Sequence, residues 1–438
     1  MIRSMLSLLL LLTLTQSQAA QSNLQSSIDK DYTANLATIF DQFHRNPELS
    51  FMEVKTASTL ARELRAAGFQ VSEGVGKTGI VAILKNGPGP MVMMRTDMDG
   101  LPVEEKSGLP NASKIHMKDT GGNDVAVAHA CGHDIHMTSL VGTAHQMAAR
   151  RNEWSGTLML IGQPAEERVT GAKDMMQDNL WKRFGKPDYA LALHVIAGLE
   201  SGKILVEEAP WSGVDTLQII VHGVGAHGAA PSMGKDPVVL GAKIVLALQE
   251  IISRERNPYE PAVITVGSFH GGTKANIIGD SAKLELTVRS ESAETRSLLL
   301  KAITRVTLNT ARAYGIDENM LPEITAIDAP ALPTLDDEVL RQRLVHVWSE
   351  NLGSSIFSTS FKKEGMISED FNYFTNEPYI PSVYYKVGAT SLSDLNEAKK
   401  NGVRIPGNHS PLFKADSELA IKTGVQTTVI ALMDLLKK

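Results

Sequence analysis

Cysteine is nearly missing from this chain, which holds one thiol, Cys131, in 438 residues. A lone cysteine excludes an intrachain disulfide framework. Positive charge is not in excess either: 43 Lys and Arg stand against 49 Asp and Glu, giving a formal charge of −6 and a pI near 6.1. The basic residues are scattered, so nucleic acid is not an expected partner. An apolar stretch runs from Met5 to Leu14, shorter than the roughly 20 residues that cross hydrocarbon comfortably. Arg3 before it and the small Ala19 and Ala20 after it make residues 1–20 read as a removable export signal. The expectation is a periplasmic or secreted protein. No cysteine lies near the cleavage position, so no lipid anchor and no stable membrane anchoring after cleavage are expected. With 43% hydrophobic and 21% charged residues, a chain of this length exceeds one typical core, and two domains are expected.

The single thiol stands in HACGHDIH, residues 129–136. Three readings compete: a small buried apolar residue, a nucleophile, or a metal ligand. His129, His133, Asp134 and His136 make an apolar pocket a poor fit. No local cysteine-protease signature surrounds Cys131. A thiolate beside imidazoles suits metal ligation best. The apolar residues Ile135, Leu140, Val141, Ala144 and Met147 follow at mostly helical spacing, which predicts a helix from about Asp134. Cys131 and His133 then share the turn before it, where Gly132 lets the backbone aim both at one point. The helix N-terminus should favour the thiolate.

Other ligand-type residues stand where apolar strands end. TLMLIGQPAEE (157–167) runs into a Gly-Gln-Pro break and then Glu166 and Glu167; YALALHV (189–195) is read as ending at His194; PMVMMRTDMDGLP (90–102) delivers Asp97 and Asp99. In open α/β sheets, sites form outside the carboxyl ends of strands. Alone, a Glu-Glu pair reads as a solvated helix start and a strand-end His as an ordinary polar residue; their coincidence with the thiol is the informative feature. RIPGNHSPLF (404–413) adds His409 in a Gly/Pro-rich loop.

The middle of the chain reads strand, helix, strand, strand, helix, strand: DTLQIIVHG, a helix opened by Asp236-Pro237, AVITVGSF, AKLELTVRS, a helix from Glu294 to about Tyr314, and PEITAI. That is the order of a ferredoxin-like βαββαβ unit. All the ligand motifs but that of His409 precede it. The fold class expected is therefore α/β, with a discontinuous catalytic domain of a central sheet flanked by helices (28–210 and 329–438), interrupted by an inserted lid domain (211–328).

Together RTDMDGLP, HACGHDIH, GQPAEE, ALHV, GVGAHGAAP, GGTKANIIGD, MISEDF and NHSPLF resemble, in order, the aminoacylase and carboxypeptidase G2 clan of di-metal peptidases. The resemblance is to its amidohydrolase subgroup, which includes hippurate and auxin-conjugate hydrolases. It implies that Cys131, His133, Glu167, His194 and His409 hold two divalent ions, zinc or manganese, with cobalt and nickel also compatible. Cys131 falls where sister subgroups use a bridging aspartate. It implies Glu166 as general base toward a water activated between the ions, and an N-acyl amino acid or short peptide as substrate. Asp99 and Asp134 are candidates to hold ligand imidazoles from behind. Asp97 lies near the position where sister subgroups carry a ligand histidine. His129 and His136 are read as structural or outlying groups. For the lid, the resemblance implies substrate contacts by His227, Asn276 and Arg289, the last gripping a carboxylate, and a homodimer surface. Relatives often have Pro-His where this chain has Pro231-Ser232, and a GGEDF-like segment where it has ISEDF; both departures bear on substrate selection. A dipeptidase or carboxypeptidase is the nearest alternative. A non-catalytic metal-dependent binding protein is the other, and Glu166 argues against it.

Overall fold

The computed structural model describes residues 23–328, 330–361, 363 and 365–438; residues 1–20, expected to be an export signal, lie outside the described residues. Two compact units emerge. One runs through Pro210 and resumes with Leu335–Lys363 and Tyr373–Lys438; the other comprises Trp211–Thr334 and Glu364–Asn372. The return to the first unit thus falls six residues later than the expected 328/329 boundary, because Val214 bonds Ala331 and Trp211 pairs with Thr334 in the second unit. The short stretch Glu364–Asn372, which holds ISEDF, was not anticipated there. Its Ile367 carbonyl accepts the Ser212 amide and ties it down.

The first unit is built on a seven-stranded mixed sheet. In chain order its main strands are β1 (Gln70–Val75), β2 (Gly79–Asn86), β3 (Met91–Asp97), β4 (Gly156–Gln163), β5 (Tyr189–Glu200), β6 (Ile204–Leu205) and β7 (Ser382–Thr390). Their order across the sheet is β1-β2-β4-β3-β5-β7-β6. The inner strands β4, β3, β5 and β7 run parallel, so their carboxyl ends reach one edge. Parallel strands buried on both faces read as continuous apolar runs; Leu158 to Ile161 and Ala190 to Leu193 are such runs, and both are buried.

The predicted helix after HACGHDIH is α1 (His133–Ala149). Nearly all of it is buried, between the sheet and α2 (Ser417–Leu435), which explains apolar residues around more than one face. No helix among the described residues is long and apolar enough to cross a membrane.

The second unit has its own apolar core and carries the four expected strands, Gly213–His222, Ala262–Gly271, Ser281–Ser290 and Glu323–Ala326. They pair antiparallel in the order second, third, first, fourth, the ferredoxin-like arrangement. Its helices are Pro237–Glu250, capped by the Asp236 carboxylate, and Ala293–Ala313, capped by the Ser292 hydroxyl.

Candidate metal centre

The edge reached by the ends of β3 and β4, beside His194 within β5, collects the expected residues of the first unit. Gly132, with φ 88°, turns the chain into α1; a Cβ there would meet Val195 Cγ2 at 2.4 Å. Only glycine fits this left-handed approach, and it sets Cys131 and His133 toward the same space. Cys131 Sγ lies 3.4 Å from His194 Nε2 and 3.2 Å from His409 Nε2. Glu167 reaches His409 Nε2 at 3.3 Å through Oε2 and His133 Nε2 at 3.8 Å through Oε1. Glu166 Oε2 stands 3.7 Å from the same His133 nitrogen. All five proposed ligands and Glu166 are therefore brought together.

His194 does not end its strand, as read from sequence; β5 continues to Glu200 because β7 pairs alongside it. Pairing with β3 stops at Ala192, however, so the Val195 amide beyond that point is open to α1 and donates to His136 Nε2 at 2.9 Å. His136 Nδ1 meets Asp97 at 2.6 Å. Both nitrogens of His136 are thus engaged, which makes it a support for the strand. Asp97 is further bonded to the fully buried Arg95, itself held by Gln163 and Tyr384. Although burial would raise it, His133, His136 and Arg95 keep the Asp97 carboxyl well below the usual range.

The candidate ligand imidazoles are oriented from behind. His133 Nδ1–H donates to the Asp99 carbonyl at 2.8 Å, and His194 Nδ1–H to the Val195 carbonyl at 2.7 Å, leaving each Nε2 to face the site. Asp99 therefore holds His133 chiefly through its backbone; its carboxylate instead accepts the amides of Glu166 and Glu167, both at 3.1 Å, and the Ser50 hydroxyl. Asp134 departs from its expected role. It turns away from the ligand imidazoles to pair with His44 at 2.6 Å, because its place one residue into the helix faces the N-terminal segment. His129 is buried with neither ring nitrogen hydrogen-bonded among the described residues, and burial pushes it down to about 4, so it is neutral.

Glu166 and Glu167 open a single turn, Glu166–Arg168, bracketed by left-handed residues Ala165 (φ 48°) and Val169 (φ 54°). Each such non-glycine residue costs on the order of 1–2 kcal/mol. The His409 loop is locked by Asn408, whose side chain donates to the Cys131 and Val195 carbonyls and accepts the Ala197 amide. Sequence reasoning passed over Asn408, Arg95, His44 and Glu53. For Asn408 the signal was adjacency to His409; for Glu53 the only local signal, Ser50 three residues before it, points to a helix cap, whereas its side chain reaches Ala165.

In the second unit, His227 and Asn276 are exposed neighbours: Ala226–His227 pairs with Ile277–Ile278, and the Gly228 amide donates to the Asn276 carbonyl. Arg289 is apart from them on its strand, donating through Nη1 to the Met366 carbonyl and the Ser368 hydroxyl.

The donor set fits divalent cations. Donor atoms of Cys131, Glu167 and His409 lie within 4.8 Å of one another, as do those of His133, Glu166 and Glu167. Buried His133 Nε2 and Glu167 Oε1 have no hydrogen-bond partner among the described residues. Burial pushes the Cys131 thiol well above its usual value, and Glu167, Glu166 and Asp97 push further, outweighing the expected help from the helix N-terminus. The protein's own groups thus favour the thiol, and a cation is what would release its proton.

The sequence profile of peptidase family M20/M25/M40 matches residues 93–401. The chain belongs to this family. Among its relatives are the hippurate hydrolase of Campylobacter jejuni, 36% identical and covering 78% of this chain and 86% of that one, and the thermostable carboxypeptidase 2 of Saccharolobus solfataricus, 33% identical and covering 86% and 90%. A Bacillus subtilis structure described as a dinuclear metal-binding peptidase of the M20 family superposes with a TM-score of 0.74 at 27% identity, covering 93% of this chain and 99% of that one. The M20 membership and the Cys/His/Glu cluster, buried except at His409, agree on a site for two divalent metal ions.

Proposed function

We propose that this M20 peptidase is a metal-dependent amidohydrolase that releases the free amino acid from N-acyl amino acids of the hippurate or N-acetyl type. Family membership and likeness to a hippurate hydrolase support the reaction class. The observation that carries the reading is Glu166, a second buried carboxylate 3.7 Å from His133 Nε2 and beside the Cys131, Glu167 and His409 group. Binding alone has no use for it.

Cys131, His133, Glu167, His194 and His409 would hold the two ions, which when bound supply an acidified water and polarise the scissile carbonyl. Cys131 Sγ, 3.4 Å from His194 Nε2 and 3.2 Å from His409 Nε2, would supply an anionic donor that offsets repulsion between the ions. Glu166 takes the proton of the attacking water and returns it to the leaving amine. His133 and His194, each fixed through Nδ1–H, would offer Nε2 as the donor to the ions. Asp97 and His136 hold the strand end in place from below.

In the second unit, Arg289 is assigned to the substrate carboxylate, its guanidinium plane set by Met366 and Ser368, with His227 and Asn276 contacting the amide. Sulfur and imidazole donors favour zinc, and manganese is the alternative. The N-terminal pattern supports export, and the second unit is assigned the lid and homodimer surface.

Metal-loaded protein incubated with N-benzoyl and N-acetyl amino acids and with a dipeptide panel tests this directly. Release of free amino acid from the N-acyl substrates is the expected result; no released amine from any of them leaves a metal-binding protein without catalysis. Cleavage confined to peptides supports the second reading, a carboxypeptidase or dipeptidase, which the Saccharolobus relative favours.

A further inference from the structure

Glu166 and Glu167 are adjacent, yet their carboxylates must do different things. The turn that separates them begins at Ala165, whose left-handed backbone a relaxed chain would abandon. Three consecutive amides hold it. Those of Glu166 and Glu167 donate to Asp99, and that of Ala165 donates to Glu53 Oε1 at 2.8 Å. Glu53 is fully buried and lies 112 residues away in the chain. Its Oε1 also accepts the amide of Phe51, another left-handed residue (φ 63°), and its Oε2 accepts the Thr78 hydroxyl at 2.5 Å. Thr78 immediately precedes β2, which pairs with β4 up to Gly162, just before the turn. The turn has no slack on its other side: a Cβ on Gly171 would lie 1.5 Å from the Pro164 carbonyl oxygen.

We propose that Glu53 is a positioning residue for the centre: by gripping the Ala165 amide it fixes the left-handed turn from which Glu166 and Glu167 diverge. Glu53 belongs to none of the candidate donor groups and acts through the backbone. Amide bonds to a buried carboxylate are strong and directional. Burial and the neighbouring Asp99 carboxylate raise Glu53 to about 7, against the hydrogen bonds from Thr78 and the Ala165 amide, which favour the carboxylate. The inference rests on the assignment of Glu166 as base and Glu167 as ligand.

The test compares Glu53→Ala, Glu53→Gln and Thr78→Val with the parent protein, reading kcat, KM, zinc affinity by competition with a chromophoric chelator, and thermal midpoint. Glu53→Ala should lose about 10–100-fold in kcat and in affinity for zinc, with KM little changed. Glu53→Gln keeps an acceptor oxygen for the Ala165 amide and should recover most of both. Parent-like kcat and zinc affinity in folded Glu53→Ala overturn the proposal, as does a Gln variant as impaired as the Ala variant. Should Glu53→Ala fail to fold, Thr78→Val decides: it leaves the carboxylate but releases Oε2, and unchanged zinc affinity and kcat there overturn the proposal. Zinc affinity is read without substrate, so a parent protein that hydrolyses nothing refutes the proposed function while the affinity series still decides the role of Glu53.

Discussion

His409 Nε2 lies 3.2 Å from Cys131 Sγ, although 278 residues separate the two in the chain. The contact ties the last ligand motif to the first and makes the sulfur the common neighbour of His409 and His194. Cys131→Ala should therefore lose at least one of the two ions and nearly all amide hydrolysis. Cys131→Asp, which restores an anion at the position, should recover ion binding in part. Elemental analysis of the purified variants, beside a rate assay on N-benzoylglycine, checks both.

Glu166→Gln should lower kcat by about 10²–10⁴-fold, the range expected for removing a general base, while metal content stays at the parent value. Glu167→Gln should instead lose metal. Finding the metal loss in Glu166→Gln would mean that the two neighbours have exchanged roles.

Gly132→Ala tests the turn that joins Cys131 to His133. With φ at 88° and Val195 Cγ2 only 2.4 Å from where the new Cβ would lie, the substitution should cost about 2 kcal/mol in stability. It should also weaken metal binding, since the two donors no longer converge. Chemical denaturation and a metal titration of the same preparation measure the two effects.

His44 should make stability depend on pH. Burial alone would depress its imidazole, but Asp134 and Glu105 reverse this and lift it to about 10 from an ordinary 6.5. The folded protein thus holds the proton more tightly than the unfolded chain. The contribution is fully present below about pH 6.5 and is lost as pH rises through about 10. His44→Gln, which leaves two buried carboxylates without their cation, should cost about 3 kcal/mol near pH 6, and the gap from the parent protein should narrow toward pH 10. A constant gap in urea midpoints across that range would contradict the pairing.

Much of this site was legible because groups of the metal-binding kind are few and stand where apolar runs stop. Cys131, Glu167 and His194 announce themselves against Leu158–Ile161 and Ala190–Leu193. The alternation in Gly213–His222 and the Asp236-Pro237 cap likewise marked the second unit. What escaped depends on long-range partners. Glu53, His44 and Asn408 are ordinary polar residues until Ala165, Asp134 and the Cys131 carbonyl are placed beside them. The continuation of β5 beyond His194 was hidden for the same reason, since its partner strand comes nearly two hundred residues later. Asp134 misled because proximity in sequence to His133 says nothing about which way the next helical position points.

The position of β7 also bears on how the molecule comes into being. That strand lies between β5 and β6 yet is encoded after the whole intervening unit. While a ribosome is still making the chain, β5 lacks its neighbour on that side and β6 has no sheet to join. The ferredoxin-like unit, with a core of its own, can close first. The sulfur and its surrounding imidazoles acquire their final company only when the closing segment emerges, so a truncated translation product should retain a folded middle and no competent centre.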